Sequence, residues 1–191
     1  MWITTINSNM FSPISLFICL NATFSVLIGR KTIEESFDFS SIGFWQAIIG
    51  SWILGMIMAV APASNFGIHF ILTFATTSLV SILIYSLIVW HFLILKRKSD
   101  RYLYFLVPYF WVGNLQIVIF GIVTLLSIST GNSSLQFFLF PVVIWIFFWL
   151  YKIAKDQTEL SGFYAICLLV FRLGVEIILG MAAGIGIASI S

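Results

Sequence analysis

Polar residues along this chain are gathered into a few short clusters. Between them lie five apolar stretches, at about 42–61, 66–95, 102–127, 135–153 and 164–188. Crossing the hydrocarbon core of a bilayer takes ~20 apolar residues in helical form, so each stretch predicts a transmembrane helix. The first ends in the uncharged run Ala61-Pro62-Ala63-Ser64-Asn65, a turn signal. The second is longer than a crossing requires and must tilt or protrude before Lys96-Arg97-Lys98-Ser99-Asp100-Arg101 stops it. In the third, Pro108 predicts a kink, and Asn114 and Gln116 are polar residues at membrane depth. Residues 129–134 make another uncharged turn. Pro141 then stands near the start of the fourth stretch, which Lys152, Lys155, Asp156 and Glu159 close.

Ahead of the five, residues 11–28 are apolar but interrupted by Ser12, Pro13, Ser15, Asn21, Thr23 and Ser25. That run is marginal for a crossing and predicts a helix lying in the interface or packed under the bundle. A sixth span is the alternative, and it would move only the N-terminus. No Lys or Arg precedes the run, so a cleaved secretory signal is not expected. Residues 32–41 collect Glu34, Glu35 and Asp38 and read as a solvated link. The expected organisation is an N-terminal cytoplasmic or interfacial segment, 1–41, followed by a transmembrane domain, 42–191. The expected fold class is all-α, a polytopic helix bundle of five spans.

Composition removes the soluble alternative: 61% of residues are hydrophobic and 8% charged, and mean hydropathy is +1.10. A net charge of +2 is too small to argue for nucleic acid. Threading five spans places every charged residue outside the last span on one side of the membrane. Eight of the nine Lys and Arg lie there and none on the opposite loops, so that side is expected to be cytoplasmic and the C-terminus to face outward. Trp45, Trp90, Tyr102, Tyr104, Trp149, Tyr151 and Tyr164 fall at the same helix ends, where amphipathic rings prefer the headgroup layer.

The last span carries the candidate chemistry. Arg172 and Glu176 stand one helical turn apart where ionisable groups cost roughly 2.5 to 3.5 kcal/mol each. Two readings follow: Glu176 titrates or binds a cation or polar solute with Arg172 tuning it, or the two neutralise each other as an internal salt bridge. Past them, Gly180, Ala182, Gly184 and Gly186 form a small-residue face for close helix packing, within the bundle or against a second copy. Cys19 and Cys167 sit in apolar runs and read as small hydrophobes. His69 and His91, about 33 Å apart on one helix, cannot share a metal, and no HExxH, GxSxG, Walker or dinucleotide motif is present. No catalysis, metal or cofactor is expected.

The segment Phe37-Asp38-Phe39-Ser40-Ser41-Ile42-Gly43-Phe44-Trp45 resembles the entry to the first span in Yip1-like bacterial membrane proteins. Arg101-Tyr102-Leu103-Tyr104 through Tyr109-Phe110-Trp111 to Gln116, and Leu160-Ser161-Gly162, fit the same pattern. Arg172 and Phe110 depart from it. The resemblance implies a five-helix, interaction-type protein of a bacterial inner membrane with no catalytic residues. The leading expectation is therefore a non-enzymatic scaffold, assembly factor or accessory subunit, partnered by the lipid bilayer and by other membrane subunits or by itself. A small transporter or channel centred on Glu176 is the rival.

Overall fold

Every span is a helix because lipid offers no other partner for backbone N–H and C=O groups. A computed structural model describes residues 13–66 and 68–188, with side chains placed for 14–58 and 70–182. The chain runs through α1 (Pro13–Leu27), α2 (Ile33–Ser36), α3 (Ser41–Phe66), α4 (Ile68–Leu95), α5 (Tyr102–Thr130), α6 (Leu139–Thr158) and α7 (Gly162–Ala188). Short 3-10 turns cover Ser99–Arg101 and Ser133–Phe138, and no strand occurs among the described residues. Helices α3 to α7 are each long and apolar enough to cross a membrane. This is an all-α bundle of an integral membrane protein, with five candidate spans.

Two expected boundaries move. Ala61-Pro62-Ala63-Ser64-Asn65 is helical, and α3 continues to Phe66. A break at that depth would free backbone groups with no water to satisfy them, and a helix tolerates Pro better than that. Within the fourth candidate span, Ser133–Thr158, the α-helix begins at Leu139 and not at 135, because Ser133–Phe138 winds as a 3-10 turn behind Asn132, whose side chain accepts from Ser134 N. Pro141 thereby falls in the first turn of α6, where its missing N–H costs nothing. Helix α5 continues through Pro108.

The five long helices form a ring in which α3 packs on α4, α4 on α7, α7 on α6, α6 on α5, and α5 back on α3. Among the described residues helix α1 has 15, short of the ~20 needed to cross, and it lies against α5 and α2. It buries Thr23, Val26 and Leu27 and leaves Ile14, Phe17 and Ile18 exposed.

The expected clustering of charge at one end is drawn by direct contacts. Glu159 accepts from Lys98 at 2.5 Å and pairs with Arg101, which ties the α6–α7 turn to the α4–α5 turn. Gln157 Nε2 donates to Glu34 Oε1 at 3.0 Å and joins the link to α6. Lys96 lies 3.9 Å above the Tyr164 ring. The hydrogen bond from Lys98, reinforced by the nearby Arg101, holds the Glu159 carboxyl below its ordinary range. Helix α3 starts at the same end: Asp38 accepts from Ser40 N and Oγ, and Ser40 Oγ accepts from Gly43 N, an N-cap for the first turn. Gly43 is obligatory there, because a Cβ would collide with the Asp38 carbonyl.

Packing is uneven along the bundle axis. In the charged-end half, Tyr85, Val89 and Leu93 of α4 are fully buried against α5, whose residues from Phe105 to Val112 are all buried, and against Ile153, Ala165 and Leu168. Toward the uncharged end fewer of the described residues are buried.

Candidate functional site: an intramembrane cavity around Arg172 and Glu176

A row of hydroxyls runs down one side of α4. Thr73, Thr77 and Ser81 recur every four residues and therefore share a face, and all three line a cavity of about 810 Å³. Helix α5 contributes Gly113, Gln116, Gly121 and Thr124, and α7 contributes Arg172, Glu176 and Gly180. Apart from Ser51, Ser78 and Tyr109, the remaining wall is apolar, chiefly Phe74, Phe120, Phe147 and Leu173. Thr77, Ser78, Gln116 and Thr124 make no hydrogen bond to another described residue, so their polar groups are free for an occupant.

Arg172 and Glu176 form the ion pair that their spacing predicts, with Nη2 to Oε1 at 2.6 Å. The pair is asymmetric. Arg172 is 18% exposed and has two further partners: Nη1 donates to Ser81 Oγ at 3.3 Å, and the guanidinium lies 5.4 Å from the centre of the buried Tyr85 ring. Glu176 is 47% exposed, and Arg172 is its one partner among the described residues. The cation is thus fixed by α4 while the carboxylate faces open space. Counting ~1.5 Å per residue from Gly162, Glu176 lies about 21 Å along α7, near the middle of its ~40 Å length. Below the pair the cavity meets the packed half of the bundle, where the rings of Tyr85 and Tyr109 stand 5.2 Å apart.

The two polar residues expected on α5 separate. Asn114 is fully buried and belongs to a clamp between α3 and α5: its Oδ1 accepts from Ser51 Oγ at 2.5 Å, and its Nδ2 donates to the Ala47 carbonyl at 3.1 Å. Gly50 leaves room for that amide, since a Cβ there would stand 3.3 Å from Nδ2. Gln116, two residues on and so on a different face, lines the cavity.

At Gly180 a Cβ would meet nothing within 4 Å, and Ala182 is exposed; among the described residues neither packs on another helix. Gly184 and Gly186 lie on α7 beyond the described side chains. His91 is exposed, with Nδ1 2.9 Å from the Leu87 carbonyl, and the His69 side chain is outside the described set. Cys19 and Cys167 are free thiols, and burial, with Asp38 adding to it, pushes Cys19 up to about 11. No group of three or more potential metal ligands occurs among the described residues.

Ser81, Tyr85, Tyr109 and Ser51 are the site residues that the sequence reading passed over. The signal for the first two was present. Thr73, Thr77, Ser81 and Tyr85 repeat at intervals of four along a largely apolar helix.

Comparison with known protein families, with curated proteins and with solved structures finds no match to this chain.

Proposed function

We propose that this protein binds a small solute in the cavity beside Arg172 and Glu176 and carries it across, or part-way across, a membrane, without catalysing a reaction. The observation that carries this reading is the half-exposed Glu176 carboxylate at mid-depth, paired to a cation that α4 holds in place. An internal salt bridge kept only for neutralisation has no need of 810 Å³ of adjoining space or of unbonded hydroxyl and amide groups around it. Intramembrane ionisable groups that face a cavity are the usual mark of a solute or ion path. The membrane is a bacterial inner membrane, with the basic turns cytoplasmic and the C-terminus outside. In that orientation the packed half, from Tyr85 and Tyr109 to Leu93, lies between the cavity and the cytoplasm.

The scaffold or accessory-subunit role is the second reading. It draws on the far half of α7, where Ile177, Ile178 and Met181 are exposed next to Gly180, a surface that another membrane subunit or a second copy would fit.

Untargeted mass spectrometry of the gently extracted protein separates the two. Gly113 lines the cavity with open space around its Cβ position, so the first carbon of a side chain is accommodated there and Gly113→Phe puts a ring into the cavity. The expected result is a small molecule retained by the native protein and lost from Gly113→Phe. A small-molecule complement unchanged by Gly113→Phe, with a stoichiometric protein partner lost on Gly180→Leu, would replace this reading with the subunit one.

A further inference from the structure

Glu176 occupies a seat that another carboxylate could take. Its Oε1 sits 2.6 Å from Arg172 Nη2, while Ser81 and the Tyr85 ring keep the guanidinium in position independently of Glu176. Resting on the solute-binding reading above, we infer that the occupant is a small aromatic or aliphatic monocarboxylate, and that it binds together with one proton.

A single fixed cation calls for a single anionic group. The rest of the wall is hydroxyl, amide and hydrocarbon, with Phe74, Phe120 and Phe147 prominent, which suits an apolar body. A phosphate, carrying nearly two charges, would leave excess negative charge at mid-membrane where nothing compensates it. When the solute carboxylate takes its place on Arg172, Glu176 loses its one partner, and an unpaired carboxylate at this depth is strongly disfavoured. Glu176 therefore takes a proton from hydronium or buffer acid in the aqueous phase: the donor's bond to that hydrogen breaks as an O–H bond forms on the carboxyl, one ion pair is exchanged for another, and net charge in the cavity is unchanged.

The proton has no nearer acceptor. Among the described residues, the titratable groups facing the pair are Tyr85 from α4 and Tyr109 from α5, neither of which is an anion at neutral pH. Helix α3 offers Ser51, Gly55 and Met58 to the cavity, and α6 offers Phe147 and Leu150; none of these titrates. Coupling of one anion to one proton follows from the geometry of three groups: Arg172, Glu176 and the Ser81 hydroxyl that fixes Arg172.

The test is isothermal titration of the purified full-length protein with benzoate, in two buffers of different ionisation enthalpy, across pH 6 to 8. The expected result is uptake of about one proton per benzoate and an affinity that weakens about tenfold per pH unit as pH rises. Glu176→Gln should bind benzoate with little pH dependence and at least as tightly, because Arg172 is already free; Arg172→Gln should lose binding tenfold or more. Should Glu176→Gln fail to fold, Glu176→Asp retains a carboxyl and should retain the proton uptake. Benzoate binding without proton uptake, binding of benzamide as tight as benzoate, or phenylalanine bound as a zwitterion with no proton taken up would each overturn the inference and leave the cavity as a solute site. Benzoate binding unchanged in Gly113→Phe would place the anion elsewhere and overturn the cavity reading as well.

Discussion

Ser51 on α3 and Asn114 on α5 are 63 positions apart in the chain and share a 2.5 Å hydrogen bond where the packed half of the bundle meets the cavity. The same amide also donates to the Ala47 carbonyl, so one side chain fastens two helices at two points. The bond stabilises this half while the neighbouring face of α5 is left to line the cavity.

Replacing Asn114 by Ala should lower stability by about 1 kcal/mol, and by no more than ~3, since interhelical hydrogen bonds in membranes contribute little and a buried amide lost with its space costs somewhat more. Gln116→Ala, which removes a cavity-facing amide with no hydrogen bond to another described residue, should change it by less than ~0.5 kcal/mol. Denaturant titration in mild detergent reads both, and equal losses at the two positions would contradict the division of roles.

Glycines make a second contrast. At Gly43 a Cβ meets backbone, the Asp38 carbonyl, which cannot move without undoing the cap of α3. Gly43→Ala should cost about 1 to 3 kcal/mol. At Gly174 a Cβ meets nothing within 4 Å, and Gly174→Ala should be neutral or should stabilise by up to ~1 kcal/mol through helix propensity. Melting curves of the two variants should move in opposite directions or differ plainly in size.

The charged end has its own pH signature. Glu159 has a folded-state pKa below its ordinary value because Lys98 and Arg101 favour the ionised carboxylate. A depressed carboxylate pKa stabilises the fold above the unfolded value, near 4.5, and that contribution is lost as pH falls through the folded value. The melting temperature should therefore be insensitive to this group from pH 8 to about 5 and decline below that, and Glu159→Gln should remove that part of the decline. Since the group is exposed, the effect should be small and should shrink further in high salt.

Much of this was legible in the chain. The five spans follow from runs of apolar residues that only a bilayer explains, and the single charged end follows from where Lys and Arg fall. The Arg172–Glu176 pair was legible from i, i+4 spacing. Whether that pair was mere neutralisation depended on space beside it, and space is a property of packing between helices distant in sequence. Asn114 and Gln116 looked alike because both are amides on one helix; their faces differ, but which face meets Ser51 is set by the ring order of the bundle. The uncharged turn read at Ala61-Pro62-Ala63-Ser64-Asn65 is helical because that signal is calibrated on chains in water, and at this depth a broken helix has no water to replace its bonds.

The most direct test of the central claim is whether water reaches Thr77 from the uncharged face. Thr77→Cys, placed in a protein with Cys19 and Cys167 replaced by Ala, would be exposed in intact cells to a membrane-impermeant thiol reagent. Ile178→Cys, on the exposed surface of α7, serves as the lipid-facing control. Thr77→Cys should be labelled from outside, tenfold or more faster than Ile178→Cys, and Gly113→Phe should abolish the difference. If Thr77→Cys is as unreactive as Ile178→Cys, the space beside Arg172 and Glu176 is filled by lipid, and the solute-binding account fails.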